Sequence, residues 1–540
     1  MPFCRSQGEG LPLNKIIALY KNELIKISKK ISILIFIGVM IIGCFGLAGL
    51  MKFMEMAQSR YADTNSSVDQ TQRIKDDLNT QLEDQLAARA AIETQITGTA
   101  DTPENQTVLQ PLVEQQASIN DQIDMLQTAL DKEIYFNYES TYLTGILNGL
   151  PAMKAEIRTL EAAEAQSPNA AQEKSLEVKR QLVSDYQAVL DSQDFKEYVR
   201  IESDSIKNDD SLSTSEKDMQ IEYYSLWYKL DPTGIITDIS GMNQARDAAQ
   251  SVTDMKRSVI DKIDYTSTSQ GMTPMTPSQI SDMENRLAVA EYRIQNDCLN
   301  ITDSMDYSWN SMQIVFGFGI FIIALMMLVL AGGAVSQEIS SGSIKSLIIA
   351  PVKRWKIFTA KVFSLLSVGF LAIAVLYIFG MLAQGLFFGF SLTPYVYASH
   401  GVAAAIPFAL YQILTLLVSY IDIIVYTAFA FMLSVLTRNT AVAVGLSIAT
   451  YFGGSTVKGI MMILPSYEWL KFIPFANLSL NGRVFPFADM MQTITVMYSG
   501  PASAPGFTQP GLIFSLIYLA VLLFCMTYTA MDSFNRRDLK

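Results

Sequence analysis

Glu338-Ile339-Ser340-Ser341-Gly342-Ser343-Ile344-Lys345-Ser346-Leu347-Ile348-Ile349-Ala350-Pro351-Val352-Lys353-Arg354-Trp355 separates two long apolar stretches of the chain. It is too polar to lie in lipid and too regular for an idle loop. A Gly-Ser start, an apolar run and a Pro-terminated end predict a short helix lying on a membrane face, with Ser343 as its cap and Pro351 as its stop. A helix held between two membrane crossings is placed to take a push from a partner protein and pass it to both.

Working outward, six apolar segments reach the roughly 20 residues that a membrane helix needs. The segmentation predicted is a cytoplasmic amphipathic helix at 1–30, a first span at 31–53, a large polar domain at 54–308 and a second span at 309–335. The connector follows at 336–357, spans three to five at 358–464, an external or re-entrant element at 465–510, a sixth span at 511–533 and a tail at 534–540. The first apolar segment is longer than the core of a signal peptide, and its basic approach contains Glu23, so it reads as an uncleaved span.

Half of the 540 residues are hydrophobic, yet the chain is formally acidic at −12. Residues 54–308 hold 44 of the 52 acidic residues but 21 of the 40 basic ones, a net charge of −23 against +11 for the rest. An acidic soluble part is therefore joined to a basic membrane part, which argues against a nucleic-acid partner. Lysines and arginines cluster before span one, around the connector, at Arg438 and after span six. That pattern predicts both termini on the cytoplasmic side of a bacterial plasma membrane and 54–308 outside.

Cys4, Cys44, Cys298 and Cys525 have neither disulfide nor metal spacing, and His400 is a lone histidine; no metal site is expected. Before span one, Leu13, Ile16, Ile17, Tyr20, Leu24, Ile27 and Ile31 recur at helical spacing, which predicts a basic helix in the headgroup layer.

The outer domain reads as helical. Leu109, Leu112, Ile119, Ile123, Leu126 and Leu130 step by threes and fours with Gln116 in the polar slot. Ile74, Leu78, Leu82, Leu86, Ile92 and Ile96 form a looser stripe upstream. The turn at 97–104 between them predicts a coiled-coil hairpin over about 68–135, its second helix starting at Thr102-Pro103. A later stripe, Ile280, Met283, Leu287, Ala290, Ile294, Ile301 and Met305, meets no Pro or Gly before Gly317, so it predicts a helix running unbroken into span two. The aromatic group Tyr223, Tyr224, Trp227 and Tyr228 reads as core at helical spacing. The fold class expected is all-α: six transmembrane helices with a large extracellular helical and coiled-coil domain between the first two.

Two charges lie inside spans. Counted up the helices from Arg438, Asp422 stands about 24 Å and Lys458 about 30 Å from the connector between spans four and five. Unpaired charges are costly in lipid, so an Asp422–Lys458 pair is expected, with a substrate-facing acid and an outward-reaching lysine as the rival readings.

The connector carries a resemblance. It is similar to that of the ABC-2 type permeases, membrane subunits of ABC exporters, which typically read Glu-x3-Gly-Thr, leucines, Pro-Val-Ser-Arg and then Lys in the next span. Here Glu338, Gly342, Ser343, Leu347, Pro351, Val352, Arg354 and Lys361 match that spacing, and Asn22-Glu23-Leu24-Ile25-Lys26 and Phe534-Asn535-Arg536-Arg537-Asp538 also resemble the family. The chain departs in Ser343, in Lys353 and in its very long first outer loop. The resemblance implies a coupling helix at Glu338–Ala350 that docks on a separate ATPase. No Gly-x4-Gly-Lys-Ser/Thr occurs in the sequence, so no enzyme activity is expected of this chain, and ATP and magnesium belong to that partner. It further implies a dimer with a second copy or a paralogue. The outer domain is expected to contact substrate or an extracellular protein. The alternative function is a membrane-anchored scaffold or receptor whose outer domain does the work; a secondary transporter fits poorly, with so few charges in the spans.

Overall fold

The computed structural model describes residues 12–65, 68–100, 102, 105–134, 142–167, 170–234, 244–266, 274–298, 307–341, 353–390, 393–463, 467–488 and 510–536. Almost all of them are helical. Among the described residues six helices are long and apolar enough to cross a membrane: Ile31–Ala57, Tyr307–Ser340, Arg354–Phe388, Phe408–Thr437, Thr440–Met461 and Leu512–Arg536. The second is the most buried and packs on spans one, three, four and five, as its unbroken apolar composition requires.

Small residues set the spacing inside this bundle. A Cβ on Gly319 would fall 2.1 Å from a Leu376 methyl on the third span, and one on Gly332 would lie 2.7 Å from Val444 Cγ2 on the fifth. Close backbone approach of this kind is what holds helices together where lipid removes the hydrophobic drive.

Ahead of the bundle, α1 (Pro12–Ser28) stops at Lys29-Lys30, and α2 (Ile31–Asn65) continues past the end of the first candidate span at Ala57. Between the first two spans come α3 (Val68–Gly98), α4 (Gln106–Asp131), α5 (Tyr142–Gln166), α6 (Ala170–Ser192), α7 (Phe195–Asn208), α8 (Thr214–Leu230), α9 (Gln244–Asp261) and α10 (Pro277–Gln295). Each packs chiefly on its neighbour in sequence. The two stripes read for α3 and α4 meet: Ile92, Ile119 and Ile123 form a cluster at the tip with Leu86 and Ile96 against it, and Leu78 and Leu126 join the main core nearer the base. The described part of α4 starts at Gln106, after Asn105, rather than at Pro103; the Asn105 side chain donates to the Ala100 carbonyl and closes the turn. Trp227 is buried, and Tyr223, Tyr224 and Tyr228 pack with it against Phe195 and Tyr198, so that cluster is core.

The expected continuous helix into span two is not present. α10 ends at Gln295 with Asn296 as its C-cap and Asp297 in the left-handed region (φ 51°), and the Cys298 N–H returns to the Arg293 carbonyl. That six-to-one closure is a Schellman stop. The buried Arg293 guanidinium then donates to the Cys298 carbonyl at 2.9 Å and fixes it. Ile301 and Met305 lie outside the described residues, and the second span restarts as α11 at Tyr307.

α9 and α10 nonetheless share one apolar core with the spans: Val252, Met255, Met283 and Ile294 belong to the same cluster as Trp309 and Phe408. A two-stranded hairpin unanticipated from the sequence, β1 (Tyr395–Ser399) and β2 (Val402–Ile406), rises between spans three and four and packs on α10. Its tight turn places His400 and Gly401 at positive φ, and the Gly401 N–H donates to Asn285 Oδ1 of α10 at 2.9 Å.

Candidate functional site

Span two does not run straight into the connector. α11 (Tyr307–Gly333) ends at a pair of glycines, and α12 (Ser336–Ser340) starts after Val335. The N–H groups of Val335 and Ser336 both donate to Ser434 Oγ of the fourth span, at 3.2 and 3.0 Å, and the Ser336 and Thr440 hydroxyls lie 2.9 Å apart. The fourth and fifth spans thus cap the helix that launches the connector.

On α12 stands Glu338, buried. Its Oε1 accepts from Lys361 Nζ of the third span at 2.8 Å and from Lys26 Nζ of α1. Lys361, 3% exposed, also donates to Glu23 Oε2 of α1 at 3.0 Å, and Lys30 Nζ donates to Gln337 Oε1 at 3.1 Å. Two acids and two lysines from three distant stretches therefore close one cluster around a cavity of about 300 Å³. Charges this deep persist only when paired, because each desolvated ion left alone costs several kcal/mol.

The cluster sets α1. Ile27 is buried and Tyr20 and Leu24 half-buried, the helix packing on the third span rather than only on a headgroup layer, and Tyr20 Oη donates to Ser367 Oγ at 2.9 Å. Glu23 sits on that same inward face. The sequence carried this signal: Tyr20, Glu23, Leu24 and Ile27 share one side of the helix, and an acid among apolar neighbours demands a buried cation.

Of the connector residues, Gly342, Ser343, Leu347 and Pro351 lie outside the described residues. Arg354 is not part of a connector helix: it is the first residue of the third-span helix α13 (Arg354–Phe388), and its Nη1 donates to the Asn535 carbonyl at the end of α18 (Leu512–Arg536), the sixth span.

A second polar group lies within the spans. Asp422, on α14 (Phe408–Thr437), and Lys458, on α15 (Thr440–Ile463), line one cavity of about 500 Å³, but among the described residues no ion pair joins them. Asp422 Oδ2 instead accepts the Ser479 N–H at 3.0 Å. Ser479, at φ 63°, belongs to the element after span five, where α16 (Pro474–Asn477) and α17 (Asn481–Val484) fold back against spans four and six. Fully buried Asn477 donates to the Lys471 and Ile473 carbonyls and accepts from Ser515 Oγ at 2.9 Å. Arg483 donates to Ser515 Oγ and to the Ala476 and Asn477 carbonyls, and Asn481 Nδ2 to Ser419 Oγ at 2.7 Å. Among the described residues the contact made by Asp422 is therefore with the backbone of this returning segment, and Lys458 acts on it through space. Arg483 and Asn477 were not singled out from the sequence; a charged residue within an apolar, Pro-broken stretch was the available sign.

Six candidate spans among the described residues, with buried charges at the root of the connector, define a multi-pass membrane protein. The chain belongs to the ABC-2 family transporter proteins, whose family profile matches residues 17–539. It is similar to the uncharacterized protein YhcI of Bacillus subtilis (strain 168), 27% identical over 277 residues that cover 49% of this chain and 78% of that one. It is also similar to the uncharacterized membrane protein YdbK of the same organism, 30% identical over 202 residues that cover 37% of this chain and 74% of the relative.

Proposed function

We propose that this chain is the permease subunit of an ATP-driven exporter, and that the connector beyond Glu338 is where a separate ATPase subunit pushes. The observation that carries the reading is the clasp on Glu338. A displacement there pulls on α1 through Lys26 and on the third span through Lys361, while Ser434 ties the same short helix to the fourth span. ATP and magnesium are assigned to the partner, since the sequence carries no phosphate-cradling Gly-x4-Gly-Lys-Ser/Thr. The basic residues put both termini and the connector on the cytoplasmic side of a bacterial plasma membrane and 54–308 outside.

Six spans make half a translocation unit, so the working assembly is a dimer with a second copy or a paralogue. Spans one, five and six are the least buried and face that partner or the bilayer. The outer helices contact substrate or an extracellular protein. Their shared core with the spans and the hairpin grip on α10 favour a domain mechanically joined to transport over a scaffold that only uses the membrane as an anchor.

The test is co-purification with a candidate ABC ATPase subunit, repeated with Glu338→Arg and with Gly342→Trp. Transport-coupled ATPase stimulation is expected to disappear in both variants, with Gly342→Trp, which leaves the partners of Glu338 in place, still produced in the membrane. Binding and stimulation untouched by either change would exclude the connector as the coupling element.

A further inference from the structure

We propose that the cavity between spans two, four and five binds a zwitterionic amphiphile, its ammonium end against Asp422 and its anionic end against Lys458. That this ligand is the cargo rests on the permease reading; that the site binds it does not.

The two charges are the only carboxylate and the only ammonium among the described residues that line the cavity. They sit on neighbouring spans and do not contact one another. Asp422 is oriented by the Ser479 N–H on Oδ2, while Oδ1 has no hydrogen-bond partner among the described residues. Lys458 makes no hydrogen bond and no contact ion pair among them; Asp422 and Arg483 act on it only through space. A half-satisfied carboxylate and an unmatched ammonium are each expensive within a membrane. If the function of these groups were to hold the helices, contact with one another would be the cheaper arrangement. Separation across a void leaves the pair to be satisfied by something of opposite polarity.

The polarity of that occupant follows from the walls. A simple cation suits Asp422 but is repelled by Lys458, and a simple anion meets the reverse; a molecule bearing both charges satisfies both. Tyr426, Tyr451 and Phe452 line the same cavity as the acid, and aromatic rings favour a quaternary or primary ammonium. The volume, about 500 Å³, lies within the range of small-molecule sites. A second cavity of about 270 Å³ adjoins it, sharing Ile320, Ser419, Asn481 and Gly482, and is walled mainly by Met312, Phe316 and Leu416, with Gln313, Gln412 and Thr415 among them. That extension supplies apolar room for an alkyl tail.

The experiment uses the full chain in nanodiscs of phosphatidylglycerol, without any ATPase, so its outcome is independent of the coupling assay. Thermal midpoints are followed as hexylphosphocholine, hexyltrimethylammonium, hexyl phosphate or tail-less phosphocholine is titrated. Hexylphosphocholine is expected to bind about tenfold or more tightly than each of the other three, the scale of one desolvated charge-assisted contact. Asp422→Asn removes its preference over hexyl phosphate, and Lys458→Met removes its preference over hexyltrimethylammonium. Every comparison is between ligands on one variant, so a variant's own loss of stability does not enter, and Asp422→Glu retains the preferences. Equal binding of the charged probes by the unaltered chain, preferences unchanged in both variants, or tail-less phosphocholine binding as tightly as the alkylated probe would overturn the assignment.

Discussion

At Lys361 a single side chain holds two acids, Glu23 and Glu338, from stretches that are more than 300 residues apart. Its removal leaves both carboxylates buried, with Lys26 as the remaining cation on Glu338. Lys361→Met should therefore destabilise the protein by about 3–5 kcal/mol, the cost of breaking a buried pair from one side. Glu338→Gln should cost less, since Lys361 keeps Glu23 and the amide can still accept a hydrogen bond. Thermal melts of the detergent-solubilised variants measure both, and a Lys361→Met protein as stable as the parent would show that the cluster is not closed as described. Sequence alone located Glu338 and Lys361 but not their meeting. Their partner Glu23 is near only in space, and nothing in local spacing reports a contact across that interval.

Individual elements were legible in proportion to how local their causes are. The six spans follow from apolar length, and the α3–α4 hairpin from two facing stripes. The stop at the end of α10 was not visible, because it depends on Asp297 adopting a left-handed conformation where glycine is the usual sign. That position makes its own prediction. Asp297→Gly should be neutral or stabilising by up to about 1 kcal/mol, whereas Asp297→Val should destabilise by about 1–2 kcal/mol, read from thermal unfolding. The β-hairpin escaped notice for another reason: Val402-Ala403-Ala404-Ala405-Ile406 reads as the start of an apolar helix, and only pairing with Tyr395–Ser399 and packing on α10 make it a strand. In the α3–α4 hairpin, the tip cluster of Ile92, Ile119 and Ile123 is separate from the main core that Leu78 and Leu126 enter. Replacing residues 90–116 by a short turn should leave the melting temperature of the remainder within a few degrees, whereas deleting 68–134 should strip one side of that core and lower protein yield.

Taken as a whole, the molecule puts a tyrosine-rich core in its loop domain. Burial pushes Tyr142 and Tyr223 up to about 12, and Tyr186, Tyr198 and Tyr224 are raised further by burial with nearby Glu202 adding to it. A phenol whose pKa is higher in the folded state contributes stability that is complete below its unfolded value near 10 and is lost as pH rises through the folded value. The domain should accordingly hold its fold to about pH 10 and weaken from there towards pH 12, with tyrosinate absorbance in this group appearing only as the helices melt. Tyrosinate forming at pH 10 with helicity intact would contradict the buried placement.

The neighbour-on-neighbour stacking of α3 to α10 also has a bearing on how the protein is made. Each helix finds its main contact in the segment synthesised just before or just after it, so little chain need be searched and ordering is fast. The region between the first two spans can therefore assemble while the second is still entering the bilayer, needing nothing downstream until Tyr395–Ile406 arrives to seize α10. In this order of events the hairpin is a late lock: it closes on a domain already formed, and joins it to the four spans made last.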